Sequence, residues 1–153
     1  MKNLLIVGQN SYVGNAFERF AKDSFHIKTI CVLGDDWRAA DFSGIDCILQ
    51  CAGIAHKKSD AETYFKVNCD LAVAVAEKAK SAGVAQFIYI SSAAVYGKQA
   101  GSFNAETTPK PDGPYGASKL KAENELKKYA DDRFKLTIVR PPMVYGPDRK
   151  SVV

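Results

Sequence analysis

Long apolar runs are missing from this chain of 153 residues. No stretch comes near the ~20 residues that a membrane-spanning helix needs, so no membrane contact is expected. The N-terminus, Met1-Lys2-Asn3 followed by four apolar residues, stops at Gly8-Gln9-Asn10 and is too short for a signal-peptide core. It reads as a first strand. A dense basic stripe is lacking too: the net charge is +4, with Lys and Arg interspersed among Asp and Glu, which argues against nucleic acid as a partner. Cysteine is scarce. Cys31, Cys47, Cys51 and Cys69 lie inside apolar segments with no histidine at ligand spacing. They read as small buried thiols of a reducing, cytoplasmic compartment, with neither a disulfide frame nor a metal site. Repeats and low-complexity tracts are also lacking.

What remains is the composition of one globular domain, 46% hydrophobic and 25% charged. Short apolar runs at residues 3–7, 27–32, 47–51, 87–90 and 136–139 alternate with helical stretches near 12–22, 61–82 and 115–129. The runs are continuous rather than alternating, as suits strands buried on both faces of a parallel sheet. In the second helix, Tyr64, Val67, Leu71, Val75 and Ala79 form one apolar stripe, and Gly83 supplies a stop. The expected fold is a doubly wound α/β sandwich of three layers, α/β/α. Residues 34–44 are too few for a full crossover helix, and 108–114 form a Pro-rich connector into the last helix.

Gly8-Gln9-Asn10-Ser11-Tyr12-Val13-Gly14 opens a helix directly after the first strand. Glycine there permits a sharp turn and the approach of a pyrophosphate to backbone N–H groups at a helix start. A plain strand-to-helix turn also explains two glycines. Ser11 stands where a third glycine is usual; its hydroxyl could serve a phosphate. Asp35 and Asp36 follow the second strand, where a carboxylate commonly accepts hydrogen bonds from an adenosine ribose and disfavours a 2′-phosphate. That favours NAD over NADP, a preference that nearby Arg38 weakens; a solvated turn explains the pair equally well. Asp41 and Phe42 could flank the adenine.

Tyr115-Gly116-Ala117-Ser118-Lys119 places a phenol and an ammonium on one helix face. A phenol has a reference pKa of ~10 and works as a base near neutrality only beside a cation. Ser91-Ser92-Ala93-Ala94-Val95-Tyr96-Gly97 ends the fourth strand, where ligands bind in parallel sheets, and a hydroxyl there can donate to an oxygen gaining charge. Local turn bonding is the alternative for the serine pair.

Together with Cys51-Ala52-Gly53-Ile54-Ala55-His56, Asn68 and Val139-Arg140-Pro141-Pro142-Met143-Val144-Tyr145-Gly146-Pro147, these segments resemble the extended short-chain dehydrogenase/reductase family, in particular its NAD-dependent sugar-nucleotide epimerases and dehydratases. The resemblance implies a Rossmann domain over residues 1–147, incomplete at its C-terminus and without a substrate domain. It implies Tyr115 as acid/base, Lys119 as its cation and Ser92 as the hydroxyl that holds the sugar oxygen. Gly8, Ser11, Tyr12 and Gly14 would surround the pyrophosphate, Ala52 and Gly53 would line the cofactor, and Asn68 would buttress it. The dehydratases of the family carry an Asp-Glu pair where Ala93 and Ala94 stand here, which favours an epimerase of the UDP-glucose 4-epimerase type.

Residues 148–153 have no place in this pattern and read as a non-native tail on a truncated frame. The expected partners are a nucleotide-sugar and, for a full-length parent, a second copy in a homodimer. Two other readings stand beside this one: an NAD(P)-dependent reductase of a small carbonyl or alcohol, and a cofactor-binding fragment without turnover.

Overall fold

The computed structural model describes residues 1–55, 59–99 and 101–146. The tail at 148–153, together with His56 and Pro147, lies outside them. Five strands, β1 (Lys2–Val7), β2 (Phe25–Ile30), β3 (Cys47–Gln50), β4 (Gln86–Ile90) and β5 (Lys135–Val139), form one sheet in the order β2-β1-β3-β4-β5. All four pairings are parallel. The sheet grows outward from β1 in both directions, so the ends of β1 and β3 mark the switch point where such folds place ligands.

Burial on both faces holds for β1 and β3, whereas β4 alternates, with Phe87 and Tyr89 buried and Gln86, Ile88 and Ile90 half-buried. Leu4, Ile6, Cys47 and Leu49 pack under Phe17 of α1 (Tyr12–Ala21), while Leu5, Val7, Ile48, Phe87 and Tyr89 face the other helices. Each such Leu or Ile contributes about 1.5–3 kcal/mol by leaving water. The outer strands depart from the expectation. Neither β2 nor β5 has a fully buried residue; their side chains are half-buried or exposed. β2 also begins and ends two residues earlier than its apolar run suggested, since its register on β1 runs from Phe25 opposite Lys2 to Ile30 opposite Val7.

The crossover from β2 to β3 is abbreviated to one 3-10 turn, Asp36–Ala39, as its length required. The long second helix is not continuous. α2 (Ala61–Phe65), capped by the Asp60 carboxylate on the Thr63 N–H at 2.7 Å, runs into a π turn at Lys66–Asp70 and then α3 (Leu71–Ser81). The extra residue in that turn rotates the stripe. Asn68 and Cys69 point inward with Ala72, Val75, Ala76 and Ala79, and Val67 and Leu71 are displaced toward the rim. Gly83 ends the segment at φ 81, the left-handed conformation glycine adopts without cost. Pro114, at the first turn of α4 (Pro114–Lys127), fixes a helical φ where no N–H is needed. Among the described residues no helix is long and apolar enough to cross a membrane.

Candidate active site

A cleft of about 750 Å³ opens over the carboxyl ends of β1, β2 and β3. Its floor is the turn after β1. Gly8 takes φ 120, and a Cβ there would lie 2.7 Å from the Ala52 backbone nitrogen. Only glycine lets these two strand ends meet. Asn10 follows at φ 61, a left-handed position that asparagine tolerates. Ser11 then caps α1, its hydroxyl oxygen accepting from the Gly14 N–H at 3.1 Å. The same hydroxyl also hydrogen-bonds the Cys51 sulfur across the turn. Gly14 is buried, and a Cβ there would press on Ile6 at 2.9 Å, so the helix can settle onto β1. The result is a helix N-terminus aimed at the cleft, a favourable place for an anion. Tyr12 opens the helix, with its hydroxyl against Gly146.

At the far end the cleft is lined by Asp35, Trp37 and Arg38. The Arg38 guanidinium sits 4.7 Å from the centre of the Trp37 ring and bonds the Asp35 carboxylate at 2.9 Å. Asp35 therefore meets the cleft already paired with a cation. Asp41 and Phe42 do not line the cleft. The Asp41 carboxylate is engaged by the hydroxyl and N–H of Ser43, which hold its pKa below the usual carboxylate value. The Phe42 ring is 2% exposed and packs in the core beneath Lys78. The aromatic side chain after β2 thus serves the core, where Asp41 and Gly44 flank it as a surface turn. Cys31 differs from the expectation as well: it is exposed just past β2.

Ala52 and Gly53 continue the cleft wall from β3. Asn68, fully buried by the π turn, accepts from the Ile54 N–H at 2.8 Å and donates to the Ile54 carbonyl at 3.0 Å and the Ser118 hydroxyl at 3.1 Å. Ser118 in turn donates to the Tyr115 carbonyl at 2.8 Å. One amide therefore ties the cofactor-side wall to the first turn of α4. Lys119 is 5% exposed; its ammonium donates to the Ile90 carbonyl at 2.9 Å and lies 4.9 Å from the centre of the Tyr89 ring. A Cβ on Gly53 would stand 3.2 Å from that ammonium. Burial pulls the Lys119 pKa down to about 8, against the opposing pull of Cys51 and Glu123. The Cys51 thiol is pushed up to about 11, chiefly by burial.

The strand-end hydroxyl adjoins the same helix. Ser92 accepts from the Ala94 N–H at 3.1 Å, starting the 3-10 turn Ala93–Tyr96. Gly116 packs so closely on the Ala94 carbonyl that a Cβ would overlap it. The residue after Tyr115 thus touches the residue two beyond Ser92. The Tyr115 ring lies 6.1 Å from that of Tyr64, whose hydroxyl is bound to the Ala55 carbonyl. Ser92, Tyr115 and Lys119 are therefore held on adjoining turns, although the cleft lining itself stops short of all three.

Behind them is a polar cluster with no signal in the sequence pattern. Glu123, fully buried, accepts from the Ser91 hydroxyl at 2.6 Å and from the Arg140 guanidinium through both oxygens. Arg140 also donates to the Tyr96 hydroxyl at 2.7 Å, and Tyr96 stacks on Phe103 at 4.7 Å. A glutamate one turn beyond Lys119 looks like a solvated helix residue until its partner, 17 residues away, is placed.

A family model described as the NAD dependent epimerase/dehydratase family matches residues 6–152. The chain is 30% identical to the UDP-glucose 4-epimerase of Vibrio cholerae, an alignment covering 98% of this chain and 54% of that protein. It is 41% identical over 71 residues to the dTDP-D-glucose 4,6-dehydratase of Mus musculus, covering 45% of this chain and 20% of that one. Among solved structures, a UDP-glucuronic acid 4-epimerase from Bacillus cereus in complex with UDP-glucuronic acid and NAD matches with a TM-score of 0.83 at 22% identity, over 100% of this chain and 60% of that one. The chain spans about half the length of the curated epimerases it matches.

Proposed function

The chain belongs to the NAD-dependent epimerase/dehydratase family, and from that we propose that it serves the NAD-dependent epimerisation of a sugar nucleotide of the UDP-glucose kind. The observation that carries the reading is the buried ammonium of Lys119 at the Gly53 wall of the cleft, one turn along α4 from Tyr115. A lysine is almost never fully buried unless it is paired, and a burial-shifted group beside a cleft marks a candidate functional site.

The cleft fits a dinucleotide. It offers a glycine turn closed to any Cβ and a helix N-terminus for the pyrophosphate, with Asp35 at the opposite end for a ribose. When bound, NAD supplies the hydride acceptor and donor. Ala52 and Gly53 would line the nicotinamide side, and Asn68 would keep that wall in place through Ile54. An ammonium beside a phenol stabilises the phenolate, so Lys119 would let Tyr115 take the proton from a sugar hydroxyl. Ser92 would donate to the same sugar oxygen and hold it there. Ala93 and Ala94 offer no acid for eliminating water, which favours epimerisation over dehydration. A homodimer belongs to the same proposal.

A second reading, cofactor binding without turnover, is favoured by the cleft lining. The nucleotide side is formed, whereas Ser92 and Tyr115 lie beyond its edge. Incubating the chain with NAD and UDP-glucose and following UDP-galactose separates the two. Turnover that vanishes in Tyr115→Phe supports epimerisation; bound NAD with no conversion supports the second reading.

A further inference from the structure

Two successive turns of α4 grip two successive residues at the end of β4. Lys119 donates to the Ile90 carbonyl, and Glu123 receives the Ser91 hydroxyl. Ser92, the proposed substrate hydroxyl, is the next residue. Glu123 is 0% exposed and Arg140, its partner, has a side chain 19% exposed, so this charge pair is screened little by water. A buried ion pair contributes little to stability that apolar groups of similar size could not match.

We propose that the Glu123–Arg140 pair is a positioning device for the active site, in which Glu123 keeps the Lys119 ammonium charged and, through Ser91, fixes the strand end that presents Ser92. The inference rests on reading Lys119 as the cation beside Tyr115. The order of the strands gives the pair its direction. Lys119 reaches over β4 toward Gly53 past β3, while Arg140 follows β5 on the opposite side of β4. Glu123 lies four residues beyond Lys119 on α4, on the same helix face, and its charge acts on the ammonium. Burial lowers the Lys119 pKa, and Glu123 opposes that loss. The other groups around Lys119 cannot take over. Cys51 from the end of β3 and Tyr89 from β4 are both pushed up by burial and stay neutral. Tyr115 is the group to be activated, and Asn68 carries no charge. Glu123 is the carboxylate whose charge opposes the effect of burial on the ammonium.

The test is the titration midpoint of Lys119, read by NMR on the 153-residue chain carrying ¹³C-labelled lysine, with the resonance assigned by its loss in Lys119→Arg. Wild type should titrate near 8. Glu123→Gln keeps the shape, removes the charge and leaves Arg140 uncompensated, so the midpoint should fall by about one pH unit or more. Should that variant not fold, the double variant Glu123→Met/Arg140→Met replaces the whole pair with apolar groups, an exchange such sites commonly tolerate. Its midpoint should also fall, by less than in Glu123→Gln. A pair that only packs the core would leave the midpoint where it was, and an unchanged or higher value in either variant overturns the proposal. That result would leave the role of Lys119 to the Tyr115→Phe assay, which does not involve Glu123.

Discussion

The ammonium of Lys119 and the α-carbon of Gly53 share one space: a Cβ on residue 53 would stand 3.2 Å from the nitrogen and 2.9 Å from Oδ1 of Asn68. The asparagine cannot swing aside, because Ile54 and Ser118 hold its amide from three directions. Gly53→Ala should therefore destabilise the fold by about 1–3 kcal/mol through overpacking, and weaken NADH binding with it. Chemical denaturation and a fluorescence titration check the two effects together. Unchanged values for both would mean that the wall yields.

Ser11 is the second point at which packing and binding can be separated. Its hydroxyl caps α1, and losing a serine cap to alanine costs about 1 kcal/mol, whereas glycine costs a few tenths. Ser11→Gly should accordingly leave the melting temperature nearly unchanged while NADH binds several-fold more weakly. Equal affinity in Ser11→Gly would show that the hydroxyl serves the helix alone.

Lys119 makes stability depend on pH with a definite sign. Its folded pKa of about 8 lies below the ordinary lysine value of 10.5. Below pH 8 the lysine is charged in both states and the burial penalty is fully present. Between about 8 and 10.5 the unfolded chain holds a proton that the folded chain has released, so stability rises with pH. The advantage of Lys119→Met over wild type should narrow across that window by up to about 3 kcal/mol. Urea denaturation of both proteins at pH 7.5 and 10 reads the difference, and a gap that widens contradicts the assignment.

Gln50, fully buried at the end of β3, leaves its Oε1 without a hydrogen-bond partner among the described residues, and its Nε2 reaches the Ala52 carbonyl only at 3.5 Å. An unsatisfied buried acceptor costs about 1–3 kcal/mol. Gln50→Met should be as stable as wild type or more so by calorimetry. A clear loss would mean that the amide has a partner.

The sequence disclosed some of these features and hid others for physical reasons. The turn from Gly8 to Gly14 and the Tyr115–Lys119 spacing were legible because backbone sterics and helix geometry are local rules. The π turn was not, since Asn68 is drawn inward by Ile54 and Ser118, residues 14 and 50 positions away. Phe42 suggested an adenine contact by its place after Asp41, but the core beneath α3 claims the ring. Glu123 and Arg140 became a pair only when β5 lay down beside β4. The half-exposed pattern of β2 and β5 likewise depends on what the rest of the chain lays over each strand face, which periodicity in a single segment does not encode.

The central claim is that Ser92, Tyr115 and Lys119 meet at the reactive end of a dinucleotide lying across Gly8 and Gly53. A crystal structure of the chain grown with NAD tests it most directly. The account predicts the pyrophosphate on the Gly8–Gly14 turn, the nicotinamide ribose on Lys119 and the ring facing Tyr115. A nicotinamide turned away from that phenol, or a pyrophosphate bound elsewhere, would contradict it.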